Sequence, residues 1–158
     1  MNEQIRTLKA DLAADLQAIA EGFAALGRYA ESPADEDQLI ALGYRLHNLY
    51  SAFESVFQRV AETFENQISD RAGWHAELLH RMTLNIEGIR PALISRETYE
   101  CLDELRRFRH LFRSAYRAPF GDAERLAVVR RKAQTLQRLY PADMARFVEF
   151  LNSLIAAE

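Results

Sequence analysis

Arginine is concentrated in one short stretch, residues 106–117, which reads RRFRHLFRSAYR and contains five arginines, one histidine and no acidic residue. On an α-helix, spacings of three, four and seven residues bring side chains to one side. We call the group that this spacing aligns the basic face: Arg106, Arg109, His110, Arg113, Tyr116 and Arg117. Because guanidinium groups bind phosphate through forked hydrogen bonds that lysine cannot copy, the basic face predicts a phosphate-binding surface.

A structural explanation of the basic face competes with this one. The same helix begins with acidic residues and ends with arginines, an order that complements the helix dipole. Each such charge contributes only about 0.3 to 1 kcal/mol, whereas several arginines on one stripe repel one another. The chain contains few lysines, so its preference for arginine partly reflects composition. From the residues alone, a phosphate-binding surface and a solvated charged face both stay open.

Composition limits the scaffold that can carry the basic face. The 158 residues include only 6 glycines and 4 prolines, too few turn formers for a sandwich or barrel. A net charge of −3 argues against a uniformly basic nucleic-acid binder but permits a local patch. The single cysteine, Cys101, cannot form an intramolecular disulfide and is expected to be buried. With no apolar signal core or membrane-spanning run, we expect one domain, residues 1–158, in the cytoplasm.

Apolar residues recur every three or four positions, which predicts an all-α fold, an antiparallel bundle of about five helices. The first helix is expected to end before Ser32. The second begins with Ser32 as its N-cap and Pro33 at its first helical position, and it ends near Gln67. The apolar stripes of these two helices also offer a surface for dimerisation.

Three further helices are predicted after residue 70. The third covers residues 74–87, and the fourth covers residues 96–117 with Ser95 as its cap. Asp122 is expected to cap the fifth helix, which Pro141 kinks or divides. The basic face therefore belongs to the second half of the fourth helix.

Three blocks, in order along the chain, resemble HepT-like toxins of the HEPN superfamily (higher eukaryotes and prokaryotes nucleotide-binding). LHNLYSAFE at residues 46–54 is similar to the family's second helix, and WHAELLHRM at residues 74–82 is similar to its Trp-His helix. RFRHLFRSAY at residues 107–116 resembles the family's signature. The resemblance covers roughly residues 40–155 and implies a HEPN-like bundle.

The resemblance implies the toxin component of a type VII-like toxin–antitoxin system. Members of this family are homodimers in which two copies of the motif line one cleft, and they cut RNA without a metal or another cofactor. Their antitoxin is a minimal nucleotidyltransferase that can transfer AMP to the motif tyrosine. The implied partners are RNA, a second copy of the chain and this nucleotidyltransferase, with no membrane.

The family's motif is an arginine, a polar residue, three variable positions, a histidine, one more position and a tyrosine. Arg109 matches the arginine, whose implied role is to bind phosphate and stabilise transition-state charge, and His110 matches the polar residue. Tyr116 matches the tyrosine and is the candidate for AMPylation. The other arginines of the basic face are the expected contacts to the RNA backbone: Arg106, Arg113 and Arg117.

Ser114 stands where the motif has its histidine. Metal-free RNA cleavage needs a base for the ribose 2′-OH or an acid for the leaving oxygen, and imidazole can serve as either. A serine hydroxyl does neither well unless another group activates it. His110, about 6 Å earlier along the helix axis, or the His110 of a second copy can substitute in part. Otherwise the chain is a non-catalytic HEPN module that binds RNA, nucleotide or the nucleotidyltransferase, or a helical interaction protein with a solvated basic face.

Other candidate residues are interpreted as structural. His47 adjoins the apolar stripe of the second helix and His75 follows Trp74 at a helix start, and no spacing of acids and histidines indicates a metal site. The phenylalanines of the second helix follow its apolar stripe and are expected in the core: Phe53, Phe57 and Phe64.

The alignment of the motif is testable through position 114. We expect Ser114→His to raise RNA cleavage or toxicity in cells, because it restores a general acid or base of a kind that contributes about 10² to 10⁴ in rate. Cleavage of purified RNA and growth of expressing cells measure the effect. No gain in either assay would contradict the alignment.

Overall fold

The predicted helical stripes form five α-helices in the computed structural model, which describes residues 1–30, 33, 35–66, 72–114 and 123–157, apart from the side chains of residues 2, 113 and 114. The helices are α1 (Asn2–Leu26), α2 (Glu36–Glu65), α3 (Trp74–Arg81), α4 (Arg96–Ser114) and α5 (Ala123–Ala156). Within these residues, β-structure is limited to one isolated bridge between Ile86 and Arg90. The all-α prediction is confirmed, and no described helix is long and apolar enough to cross a membrane.

The core forms where the apolar stripes of α1 and α2 face each other. The two helices run antiparallel, since Arg59 of α2 pairs with Asp11 and Asp15 at 3.0 and 2.8 Å, while the earlier Phe53 contacts the later Phe23. The stripe of α1 is buried: Ile5, Leu8, Leu12, Ile19, Phe23 and Leu26. Helix α2 contacts all four other helices, and its Phe53 and Phe57 are fully buried, as predicted.

The stripes of α1 and α2 are not the dimer surface that the sequence suggested. Both stripes are used within the chain, because each covers the other in the core. The large apolar side chains that α2 leaves exposed are Ile40 and Tyr44. A surface for a second copy must therefore come from other residues.

Helix α2 begins later than predicted. Asp35 is its N-cap, with extended φ and ψ of −88° and 130°, and the Asp35 carboxylate accepts a hydrogen bond of 2.8 Å from the backbone N–H of Asp37. The prediction that Pro33 is the first helical residue is wrong, and Ser32 lies outside the described residues. An aspartate at the N-cap places a negative charge next to the positive end of the helix dipole, which is a favourable interaction. This charge explains why the helix begins after Asp35 and not after the earlier candidate cap.

Helix α3 ends at Arg81, not at residue 87 as predicted. The buried guanidinium of Arg90 explains this end, because it binds the carbonyl oxygens of Arg81 and Leu84. A continuing helix would use these oxygens for its own hydrogen bonds. Arg90 Nη2 donates to the carbonyl oxygen of Arg81 at 3.1 Å, and its Nη1 donates to those of Leu84 and Pro91 at 3.2 and 3.1 Å. The guanidinium also forms an ion pair with Glu65 of α2, which ties this turn to the core.

The start of α4 is fixed by a buried carboxylate from α5. Ser95 caps α4 as predicted, its Oγ accepting from the backbone N–H of Thr98 at 3.3 Å. The Asp143 carboxylate accepts from the Ser95 backbone N–H at 3.1 Å and from Thr98 Oγ1 at 2.5 Å. Helix α5 continues through Pro141, so of the two predicted alternatives, a kink or a division, the division is wrong. Buried Met144 packs the following turn in the core. The predicted cap Asp122 lies outside the described residues.

We expect Asp143→Ala to lower the free energy of unfolding by on the order of 1–3 kcal/mol, because the buried hydroxyl of Thr98 and the part-buried N–H of Ser95 lose their acceptor. Thermal unfolding followed by circular dichroism measures the loss. Glu149→Ala, an exposed acid on the same helix, is the matched control and should change stability by less than about 0.5 kcal/mol. Equal stability of the two variants would show that Asp143 does not hold α4.

Candidate functional site

Helices α3 and α4 border a cavity of about 640 Å³, which we call the α3–α4 cleft. Residues of the basic face form one side, and the start of α3 with the two residues before it forms the other. The lining residues are Ala72, Gly73, His75, Ala76, Arg106, Arg109 and His110. Three of the predicted site residues thus lie together: Arg106, Arg109 and His110. The cleft also contains His75, for which a structural role was predicted.

Arg109 is positioned by α2. Its Nε donates a hydrogen bond of 3.1 Å to Ser51 Oγ, and that hydroxyl in turn donates to the carbonyl oxygen of His47 at 3.1 Å. The serine therefore fixes the orientation of the guanidinium plane. Because the contact uses Nε, the terminal Nη groups can still donate to a phosphate in the forked geometry.

Arg106 enters the cleft with part of its charge already balanced. Its Nε and Nη2 lie 3.0 and 2.9 Å from Asp103 Oδ1, one turn earlier on α4. Arg107 points away from the cleft, is 58% exposed, and pairs with Asp103 at 2.7 Å and Glu104 at 3.7 Å. Of the arginines on the basic face, Arg106 therefore has its repulsion relieved within the helix by a neighbouring acid.

His75 is hydrogen-bonded to a buried carboxylate. Its Nδ1 lies 2.9 and 2.8 Å from the two carboxylate oxygens of Glu54, whose side chain is only 7% exposed, while the His75 side chain is 45% exposed. The residue thus connects a charge inside the protein to the open side of the cleft. The contact with Glu54 agrees with the predicted structural role, and the place of His75 in the cleft leaves its other side open to a ligand.

One signal in the sequence could have indicated this pair. Glu54 interrupts the apolar stripe of α2 three residues after Ser51, and a carboxylate at a buried position requires a cationic or hydrogen-bonding partner. The partner lies 21 residues away on another helix, a separation that helical spacing alone does not predict.

Tyr50 lies beneath the charged residues of the cleft. It is fully buried, and its hydroxyl has no hydrogen-bond partner among the described residues. Burial raises the pKa of the Tyr50 phenol well above its ordinary value of 10.0, and the Glu54 carboxylate raises it further, whereas Arg106 and Arg109 act in the opposite direction. The phenol is therefore neutral at physiological pH.

Several predicted site residues cannot be placed against the cleft. Arg113 and Ser114 belong to the last turn of α4, but their side chains are outside the described part of the chain. Tyr116 and Arg117 lie outside the described residues altogether. Their assignments as RNA contacts, motif position and modification site stay predictions.

The other candidate residues lie away from the cleft. His47 packs against the Phe112 ring at 5.5 Å, and exposed His80 meets the edge of the Tyr99 ring at 6.5 Å. Cys101 is buried, and this burial raises the pKa of its thiol, as suits a hydrophobic core residue. Over the described residues, no three His, Cys, Asp or Glu side chains converge as a metal-ligand group.

The sequence profile of the HepT-like protein family matches residues 41–151, a region that includes every residue lining the α3–α4 cleft. The chain therefore belongs to the HepT-like family, and its five-helix bundle is HEPN-like. Neither the curated proteins nor the solved structures include a significant match.

The buried phenol gives a prediction for alkaline pH. Because its pKa is higher in the folded than in the unfolded protein, Tyr50 stabilises the fold below pH 10.0, and this contribution is lost as pH rises above that value. Tyr50→Phe should therefore make the stability fall less steeply above pH 10.0.

Urea unfolding on both sides of that pH measures the slope. Near neutral pH the same variant should be close to the parent in stability, since the hydroxyl that it removes has no described partner. Parallel pH dependences for the two proteins would contradict this account of Tyr50.

Proposed function

We propose that the α3–α4 cleft binds the RNA backbone and that the protein is a metal-independent endoribonuclease, the toxin of a toxin–antitoxin pair. One observation carries the proposal: two arginines and two histidines line a single cleft in a HepT-like chain. A phosphodiester is a compact anion with several acceptor oxygens, and charge-assisted N–H donors are its strongest protein partners. The cleft supplies such donors from α4, through Arg106 and Arg109.

The arginines suit the charge that develops during cleavage. Arg109, held by Ser51, can bind a non-bridging phosphate oxygen, and Arg106 adds a second cation on the same side. Fixed donors directed at developing charge contribute on the order of 10² to 10³ in rate each. The ion pair with Asp103 holds Arg106 in place before RNA binds, so the water around Arg106 need not reorganise during the reaction.

His110 supplies a titratable group beside these arginines. It is exposed at the edge of the cleft and directly follows Arg109 in the sequence. Imidazole can donate a proton to the leaving 5′ oxygen as a general acid. His110 is thus the acid of the proposed reaction.

The proposal extends to partners. A second copy of the chain would place two such clefts in one assembly, and a minimal nucleotidyltransferase would silence the toxin by transferring AMP to Tyr116. Co-expression with the neighbouring reading frame, followed by the intact mass of the protein and of its Tyr116→Phe variant, tests this part. A mass increase of one AMP that persists in Tyr116→Phe would overturn the assignment of that tyrosine.

A second function is favoured by Ser114, which departs from the motif histidine. In that case the chain is a non-catalytic module that holds RNA, nucleotide or the nucleotidyltransferase in the same cleft. Salt-sensitive RNA binding without cleavage supports this alternative over the ribonuclease.

Cleavage of purified RNA in the presence of EDTA tests the ribonuclease. We expect Arg109→Ala to reduce kcat/KM by on the order of 10²-fold or more, because the transition state loses its fixed cation. Arg107→Ala is the matched control: it removes an arginine from the same helix that points away from the cleft, and it should leave kcat/KM unchanged.

Two results would contradict the proposal. One is cleavage that persists unchanged in Arg109→Ala, which would identify a contaminating nuclease. The other is cleavage that EDTA abolishes and Mg²⁺ restores. Equal losses in Arg107→Ala and Arg109→Ala would favour a diffuse charge effect over a defined site.

A further inference from the structure

The pair of His75 and Glu54 has the form of a positioned general base. The carboxylate of Glu54 is buried and fixed on α2, and both described hydrogen bonds of His75 use Nδ1. A carboxylate accepts hydrogen bonds and does not donate them, so Nδ1 carries the proton. In the neutral ring the lone pair is then on Nε2, the opposite nitrogen of a side chain that lines the cleft.

The His75–Glu54 pair differs from the structural contact that the other buried carboxylate of α2 makes. Glu65, the other buried carboxylate of α2, is neutralised by the guanidinium groups of Arg81 and Arg90. Those arginines cannot release a proton at physiological pH. Glu54 instead faces an imidazole that can exchange protons and remains partly open to solvent. A purely structural partner for Glu54 has no need of a half-exposed imidazole in a cleft lined by arginines.

We infer that His75 is the general base of this site and that Glu54 is its positioning residue. The inference rests on the proposed ribonuclease function and answers the question that Ser114 raises, namely which group moves the proton. A carboxylate that holds the far nitrogen of a histidine fixes its tautomer and stabilises the imidazolium that forms during reaction. The proton-transfer group thus comes from α3, outside the motif on α4.

The step balances as a transphosphorylation. His75 Nε2 takes the proton of the ribose 2′-OH while the 2′ oxygen forms a bond to phosphorus. The bond from phosphorus to the 5′ oxygen breaks, and that oxygen takes a proton from the protonated His110. The products are a 2′,3′-cyclic phosphate and a free 5′-OH, and proton exchange with water restores both histidines.

Charged groups surround His75 from both helices that pack against α3. Glu54 faces it from α2, with the neutral Tyr50 phenol below, and Arg106, Arg109 and His110 face the same cleft from α4. The Glu54 carboxylate contacts the imidazole directly, so substituting it tests the pair.

The test combines three variants in the full chain, with a defined RNA oligonucleotide as substrate. His75→Ala should lower kcat/KM by about 10² to 10⁴-fold. Its Kd for the same oligonucleotide carrying 2′-O-methyl groups should stay close to that of the parent. His80→Ala, which removes an exposed histidine of the same helix outside the cleft, is the control and should change neither value.

Glu54→Gln separates positioning from simple support of the fold. The amide oxygen can still accept the Nδ1 hydrogen bond and support the fold, but it carries no charge to stabilise the imidazolium that forms during reaction. We therefore expect kcat to fall with little change in KM. The double variant Glu54→Gln/His75→Ala should be no slower than His75→Ala, because Glu54 acts only through His75. It also removes the unpaired buried carboxylate, so it provides a folded protein if His75→Ala unfolds.

The outcomes distinguish this inference from the function on which it rests. If Arg109→Ala loses cleavage while His75→Ala retains it, His75 is not the base and the ribonuclease proposal stands. A kcat that Glu54→Gln leaves unchanged, or additive losses in the double variant, would likewise overturn the role of the pair. If Arg109→Ala cleaves as the parent does, the ribonuclease proposal fails, and the inference fails with it.

Discussion

A carboxylate buried among packed helices must be given cationic or hydrogen-bonding partners, and this constraint fixes the helices around the cleft. The side chains of Glu54, Glu65 and Asp143 are 7%, 4% and 4% exposed. Glu54 reaches the start of α3, and Glu65 reaches its end together with the turn that follows. Asp143 holds the start of α4. The walls of the α3–α4 cleft are thus set by three separate satisfied charges.

The same constraint shapes the electrostatics of the cleft. Asp103 balances Arg106, and Ser51 orients Arg109 through a neutral contact that leaves its charge for a ligand. The arginines are therefore arranged before any anion arrives. Preorganisation of this kind favours binding and transition-state stabilisation, because the cost of aligning the donors is met during folding.

Much of the fold could be predicted from the sequence, because helical periodicity and helix caps are local signals. The five helices, the buried phenylalanines of α2 and the Ser95 cap were predicted from such patterns. The error at the end of α3 arose because a distant group decided the outcome. Arg90 ends α3 by binding the carbonyl group of Arg81, and no residue spacing within α3 predicts this contact.

The candidate site divides in the same way. Arg106, Arg109 and His110 were predicted because they share one face of one helix, whereas His75 was assigned a structural role. His75 becomes a candidate functional residue because it contacts Glu54 of α2 and lies beside the arginines of α4. Only the tertiary fold brings these groups together. Buried acids within apolar stripes are a sequence signal that deserves a search for such partners.

The central claim is that one cleft between α3 and α4 receives the RNA backbone. It is tested most directly by following the imidazole NMR signals of His75, His110 and His80 while a short 2′-O-methyl RNA is added. The account predicts that the signals of His75 and His110 shift together and saturate at one RNA concentration, while the His80 signal, outside the cleft, stays in place. RNA that binds while the signals of His75 and His110 do not move would contradict it.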